Sequence, residues 1–227
     1  MQFPAASRAV LTKMFDFGLC TSPTFLILSF AGFLSLLSLF VPFNFLPSFI
    51  DKEREALGLT EEEATKTKAY LMAVIGICNT IGRVICGWVS DHPRVDAIKV
   101  NNIGCLIGGV ATCLIPQIGS VAMLYAYGVV FGFSVAVFAS LRSILLVELL
   151  GLEKLTNAFG LLLLIQGIAA VFGSPIAGGF ADITGSFTTT FYVFGTTYAL
   201  AGVMCMPIRR VKKWETERNA KRQTGLK

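Results

Sequence analysis

Six long apolar stretches alternate with short polar connections along this chain. The stretches span 24–46, 67–89, 98–118, 121–147, 158–180 and 188–208. Each is close to the ~20 residues that an α-helix needs to cross the hydrocarbon core of a bilayer. A soluble fold rarely contains six separate stretches of that length. The pattern therefore predicts an all-α membrane protein, a bundle of six transmembrane helices.

The positive charge of the chain is concentrated after the last apolar stretch and predicts the orientation. We expect a cytoplasmic linker over 1–23, the six-span bundle over 24–208 and a basic cytoplasmic tail over 209–227. Basic residues directly after a span are typical of a cytoplasmic end. An even number of spans places the amino end on the same side, so the loops 51–66, 116–120 and 181–187 face outward.

Two local patterns concern structure rather than chemistry. The segment 60–64, TEEEA, predicts a capping box at the start of the second helix. Small residues one turn apart allow transmembrane helices to approach closely. Such pairs occur at Gly104/Gly108, Gly128/Gly132 and Ala169/Gly173. We favour a packing role for them, and a gating hinge at 173–175 is the alternative.

Composition narrows the function classes. The formal net charge of +5 lies mostly in the tail, so it indicates orientation, with contact to anionic lipid as an alternative, and predicts no nucleic-acid partner. The six cysteines form no CxxC pair and His92 is the single histidine, so we predict no metal site and no cofactor. The HExxH and GxSxG motifs are absent from the sequence, and an intramembrane enzyme is not expected.

Arg83 is the principal candidate for chemistry because it lies inside the second apolar stretch. A charge at that depth costs ~2.5–3.5 kcal/mol on insertion scales. Its long side chain can reach the inner interface, or it can face a cavity and bind an anion such as a carboxylate. We favour the cavity, because Asn79 lies one turn earlier on the same face and Thr80 adjoins it.

Other polar positions in the spans are weaker candidates. Arg142 lies near the inner end of the fourth stretch, where its side chain can easily reach water, so we favour a structural role. Glu148 is expected to pair with a basic loop residue, and a proton-coupling role is the alternative. In the fifth stretch, Gln166 lies deeper than Asn157 and is the better candidate for a cavity-lining residue.

Several segments together resemble the monocarboxylate transporters of the major facilitator superfamily. The segment 82–91, GRVICGWVSD, resembles their eighth helix and the following loop, and Gly87, Asp91 and Arg94 resemble a degenerate form of the superfamily's loop motif. Residues 14–25 resemble the entry to the family's seventh helix, and residues 141–160 resemble the connection from the tenth helix to the eleventh. Residues 173–178 and 182–185 resemble the eleventh helix and its exit. The resemblance covers nearly the whole chain.

The resemblance implies spans seven to twelve of a twelve-span carrier in the plasma membrane that works by alternating access. It implies as partners a small monocarboxylate-like solute, the bilayer, the missing six-helix amino-terminal half and a possible accessory membrane protein. Arg83, Asn79 and Gln166 would contact the solute. The lactate and pyruvate carriers of the family hold an aspartate where this chain has Asn79, and the pattern is closer to the less characterised branch that includes creatine carriers.

A second function class stays open beside transport. Because the first six spans of the family are not represented in this sequence, the chain could be a fragment of a carrier or a short natural product. A short product would be a non-transporting membrane protein that binds a partner or the full-length carrier. Six further spans in frame upstream of Met1 would indicate a fragment.

Overall fold

The computed structural model describes Leu19 and residues 21–90, 92, 95–152 and 155–223, with side chains to Lys221. Over these residues the chain forms seven α-helices in sequence and a short 3-10 turn, Ile115–Gln117, after the third. The helices are α1 Pro23–Lys52, α2 Glu61–Ser90, α3 Ala97–Leu114, α4 Val121–Leu150, α5 Leu155–Thr184, α6 Phe187–Met204 and α7 Ile208–Gln223.

The helix ends follow local sequence signals. The capping box at α2 is confirmed, because the Thr60 amide donates to the Glu63 carboxylate over 2.9 Å and the Glu63 amide donates to the Thr60 hydroxyl over 3.3 Å. Gly151 and Gly185 follow α4 and α5 with positive φ angles of 82° and 63°, a conformation that glycine adopts without a Cβ clash. The capping box thus marks the start of α2, and the two glycines mark the ends of α4 and α5.

Five of the described helices, α1 to α5, are long and apolar enough to cross a membrane, and α6 with α7 forms a sixth span if the bent pair is counted together. The sixth predicted stretch, 188–208, is not one continuous helix. Helix α6 ends at Met204, and after the turn 205–207 the axis of α7 is inclined by 42° to that of α6. Pro207 has no amide hydrogen to donate to an earlier carbonyl, so the helix breaks there.

The helices pack in an open series whose order is α2, α4, α3, α6, α1 and α5. Helix α4 packs on α2 and α3, while α1 packs on α5 and α6. Helices α2 and α5 stand at the two ends of this series and are the least buried of the candidate spans. One side of the bundle, between α2 and α5, is therefore left open by the described residues.

The glycines predicted to allow close packing lie at helix contacts. A Cβ on Gly108 would approach Ser134 of α4, and one on Gly132 would lie 2.7 Å from the Ile75 carbonyl oxygen of α2. A Cβ on Gly173 would lie 2.6 Å from the Leu37 carbonyl oxygen of α1. Helix α5 continues through Pro175 without a break. These contacts support the packing role that the sequence predicts for the small residues.

Candidate functional site

Arg83 and Asn79 lie together on the exposed side of α2. The Arg83 Nε donates a hydrogen bond to the Asn79 side-chain oxygen over 3.0 Å. This contact joins two residues that are four positions apart, which is about one helical turn. It therefore requires only that α2 is helical. The expectation that the two side chains share a face is confirmed. The amide leaves the terminal nitrogens of the Arg83 guanidinium available for another acceptor, because Asn79 engages Nε.

A polar and small-residue stripe surrounds this pair. Gly76, Thr80, Arg83 and Gly87 repeat at helical spacing and are all exposed. A Cβ placed on Gly76 or on Gly87 would meet no atom within 4 Å. The Thr80 hydroxyl is bonded to the Gly76 carbonyl oxygen of its own helix over 3.0 Å. The stripe is thus open, and Arg83 is its one charged residue.

The predicted loop residues are only partly described. Gly87 belongs to the open stripe of α2, whereas Asp91 and Arg94 lie outside the described residues. Arg83 lies seven residues before the end of α2 at Ser90, which corresponds to ~10 Å along the axis. Its guanidinium is therefore placed well inside the span, within reach of one end.

Arg142 and Gln166 form a second polar pair, on α4 and α5. The Arg142 guanidinium donates to the Gln166 side-chain oxygen, and its centre lies 5.8 Å from the ring centroids of both Phe138 and Phe159. Gln166 is 1% exposed, and its amide packs directly on Gly32 of α1, where a Cβ would overlap with it. Gln166 thus lies inside the bundle and accepts a hydrogen bond from Arg142.

A small polar void adjoins this pair. It has a volume of about 20 Å³ and is lined by Ser35, Asn101, Arg142 and Gln166 among apolar side chains. A void of this size can hold one water molecule. The Arg142 Nε is buried and has no hydrogen-bond partner among the described residues. The unpaired Arg142 Nε therefore belongs to a side chain that lines a void large enough for one water molecule.

The structure assigns Arg142 a position different from the one the sequence suggested. The fourth apolar stretch ends at 147, which places Arg142 close to water, but α4 continues to Leu150. Arg142 therefore lies about two turns before the end of α4, and its planar guanidinium lies beside the rings of Phe138 and Phe159 in the bundle. Phe138, one turn before Arg142, is the signal in the sequence that could have indicated this orientation.

Arg83 and Arg142 are the two arginines of the described helices α1 to α5. Within these helices, every Asp and Glu lies in the first or last three residues. The carboxylates of these helices therefore lie at helix ends and not in the interior of the spans. Two positive charges without a nearby carboxylate favour an anion as the missing counter-charge.

An ion-pair cluster joins four helices at the end of the bundle where α4 stops and α7 begins. Arg209 bonds to Asp96, the cap of α3, over 2.9 Å and to Glu148 of α4 over 2.5 Å. Glu215 of α7 accepts a bond from the Thr24 hydroxyl of α1 over 2.6 Å. Glu148 was expected to pair with a basic loop residue, but its partner is Arg209, next to the start of α7. This cluster fixes α7 on the bundle.

Family models identify the superfamily to which these helices belong. The model of the Major Facilitator Superfamily matches residues 28–227. The chain belongs to the Major Facilitator Superfamily. Its fold is similar to that of the E. coli fucose:proton symporter FucP, with a TM-score of 0.64 and 17% sequence identity over 84% of this chain and 44% of that one. The predicted all-α bundle, with the fold of one half of a Major Facilitator Superfamily protein, is confirmed.

Relatives within the Major Facilitator Superfamily are named monocarboxylate transporters. The chain is 27% identical to monocarboxylate transporter 3 of Rattus norvegicus over 88% of its length and 40% of the relative. It is 30% identical to transporter 14 of Mus musculus and 25% identical to transporter 12 of Homo sapiens, over 84% of this chain and 36% and 37% of those proteins. The resemblance stated from the sequence is confirmed, and the chain spans about two fifths of these relatives.

Proposed function

We propose that this chain forms the carboxy-terminal half of a secondary transporter that moves a monocarboxylate or a similar small organic solute. Transport would proceed by alternating access, in which two six-helix halves rock about a site near the middle of the membrane. The observation that carries this proposal is Arg83, which is exposed on the open stripe of α2 and bonded to Asn79. The relatives are named for monocarboxylates, which agrees with a cationic site.

The chemistry of Arg83 suits a carboxylate. A guanidinium presents parallel N–H groups that match the two oxygens of a carboxylate, and such charge-assisted bonds are about twice as strong as neutral ones. Because Asn79 holds Nε, the side chain is oriented along α2 before a solute arrives. The solute would then bind between the open stripe and the amino-terminal half of the carrier.

Arg142 and Gln166 contribute to the same proposal from the interior. Gln166 fixes the Arg142 guanidinium between two aromatic rings, so the second cation cannot swing freely into the open region. Its charge raises the positive potential around Arg83 without occupying the solute position. We assign direct solute contact to Arg83 and Asn79, and a positioning role to Arg142 and Gln166.

We further propose that the carrier resides in the plasma membrane with both ends cytoplasmic. The support for this orientation is α7, which follows the last span and contains seven basic residues against two acidic ones, and basic segments remain inside. An accessory membrane protein is a further partner that the same membrane could supply. The basic end of the chain and the open stripe of α2 belong to different surfaces, so the orientation and the solute site can be tested separately.

The test uses the complete carrier and the variant Arg83→Lys. Lysine retains the charge but loses the planar fork, so we expect carboxylate uptake to fall at least tenfold at an unchanged amount of carrier at the cell surface. Arg54→Lys is the matched control, because it makes the same exchange at an arginine in the connection between α1 and α2, outside the stripe, and it should transport normally. Undiminished uptake by Arg83→Lys would reject Arg83 as the solute-binding residue.

A further inference from the structure

Helix α7 follows α6 after the turn 205–207 and is inclined to it. It is bent by 42° from α6, which ends at Met204. Arg210, Lys213 and Trp214 follow that end by six to ten residues, so they lie ~7–11 Å beyond it along the α6 axis. The headgroup region of a bilayer leaflet is ~5–8 Å thick, and lysine and arginine side chains are long enough to span the remainder.

One side of α7 is fully engaged with the bundle, and the opposite side is not. Arg209, Lys212 and Glu215 contact the ends of α4 and α1 and the cap of α3. The opposite side exposes Arg210, Lys213, Trp214 and Arg218, which we call the basic face, together with one carboxylate, that of Glu217. Trp214 is 52% exposed, and the Arg218 guanidinium lies 5.2 Å from its ring. Among the described residues, Arg210 and Lys213 have no ion-pair partner.

The basic face is continuous with the lipid-exposed side of α6. Leu200, Val203 and Met206 are exposed at helical spacing, and Arg210 and Trp214 extend the same series beyond the bend. Side chains on a helix lean toward its amino end, which for α7 is the membrane side. The cations of the basic face are therefore directed back toward the bilayer surface that surrounds α6.

We propose that the basic face of α7 binds the headgroup of an anionic phospholipid in the leaflet next to it. Each basic residue near a membrane surface contributes roughly fivefold to binding of anionic lipid, and tryptophan is favoured at this interface. Arg210 and Lys213 supply the charge, and Trp214 with the stacked Arg218 supplies an anchor at headgroup level. This surface is separate from the open stripe of α2 and does not depend on solute transport.

The experiment measures lipid binding to the whole chain purified in a neutral detergent. Dioctanoyl phosphatidylserine is titrated and compared with dioctanoyl phosphatidylcholine and inorganic phosphate. We expect saturable binding of phosphatidylserine that weakens as salt is added, with phosphatidylcholine and phosphate binding at least tenfold more weakly. The variant R210Q/K213Q should lose at least tenfold in affinity for phosphatidylserine.

The matched control is R54Q/K66Q, which removes one cation in the connection between α1 and α2 and one near the start of α2, far along the chain from α7. It should bind phosphatidylserine as the unmodified chain does, and thermal melting of both variants confirms that they remain folded. Equal binding of the serine and choline lipids, or unchanged binding by R210Q/K213Q, would overturn the proposal. Phosphate binding as tight as that of phosphatidylserine would assign the face to free phosphate instead.

Discussion

At the scale of single residues, the Arg142 and Gln166 pair is the most constrained polar feature of the bundle. Gln166 is 1% exposed and packs on Gly32, while the Arg142 Nε is buried without a partner among the described residues. A partly buried guanidinium that loses its glutamine acceptor is left with mainly apolar neighbouring side chains. The pair should therefore behave as a unit.

The first prediction is a double-mutant cycle on this pair. Gln166→Leu keeps the volume but removes the acceptor, so we expect the free energy of unfolding to fall by about 1–3 kcal/mol. Arg142→Leu should also destabilise, and the double variant should lose clearly less than the sum of the two single changes. Unfolding in detergent micelles measures all four proteins. Additive losses would show that the two side chains do not support each other.

The two arginines also differ in how local their placement is. Arg83 meets Asn79 within one turn of α2, so any helix with this sequence brings them together. Arg142 meets Gln166 across 24 residues, and that contact exists only because the tertiary fold brings these two side chains of α4 and α5 together. Sequence spacing therefore predicts the first contact but carries no information on the second.

At the scale of helices, close approach of backbones at glycine determines how α1 and α5 fit. Gly173 lies against the Leu37 carbonyl oxygen, and the helix continues through Pro175. The structure thus supports packing at this position, and the described helix shows no break at the alternative hinge, 173–175. Gly167 lies on the same helix, where a Cβ would meet no atom within 4 Å.

The second prediction compares these two glycines. Gly173→Ala should destabilise the bundle by about 1–3 kcal/mol, because the added methyl group must push α5 away from α1. Gly167→Ala should be neutral or stabilising by up to ~1 kcal/mol, since alanine favours the helix and has open space. Melting temperatures of both variants in the same detergent give the comparison. Equal melting temperatures would remove the packing explanation for Gly173.

The bend between α6 and α7 also belongs to this scale. The apolar pattern continues to Ile208, so hydropathy by itself predicts an uninterrupted last span. Pro207 and the ion pairs of Arg209 end the span earlier and turn the basic segment along the bundle. The charges of the tail then lie in a folded helix with two distinct sides.

At the scale of the whole molecule, the third prediction concerns orientation. Cysteine placed at Glu62 should react with an impermeant thiol reagent added to intact cells, whereas cysteine placed at Lys213 should react only after permeabilisation. Both positions are exposed, so a difference in labelling reports on the side of the membrane rather than on burial. Labelling of Lys213→Cys in intact cells, without labelling of Glu62→Cys, would reverse the proposed topology.

The fourth prediction concerns coupling in the complete carrier. Uptake into vesicles should depend only weakly on an imposed proton gradient, because Asn79 cannot carry a proton and the acidic residues of α1 to α5 lie at helix ends. Glu148, the alternative proton carrier, is engaged in an ion pair with Arg209 over 2.5 Å. Asn79→Asp should increase the stimulation by the gradient. Strong stimulation that persists in Asn79→Ala would locate the coupling in the other half.

The amino-acid sequence by itself determined the features that depend on neighbours along the chain. Stretch length predicted the spans, hydroxyl and acidic residues predicted the cap of α2, and four-residue spacing predicted the Arg83 and Asn79 contact. Such features need only the hydrogen bonds and side-chain periodicity of one helix. The resemblance to the transporter family likewise depended on short segments of sequence.

Only the tertiary structure decided which side chains from different helices meet. Contacts between different helices account for the burial of Gln166, its bond with Arg142 and the partners of Arg209. All six stretches are apolar around most of their surface, so periodicity does not reveal which side of each helix faces a neighbour. That choice was made by backbone contacts at glycine and by a few buried polar groups, because only the assembled bundle brings their partners within reach.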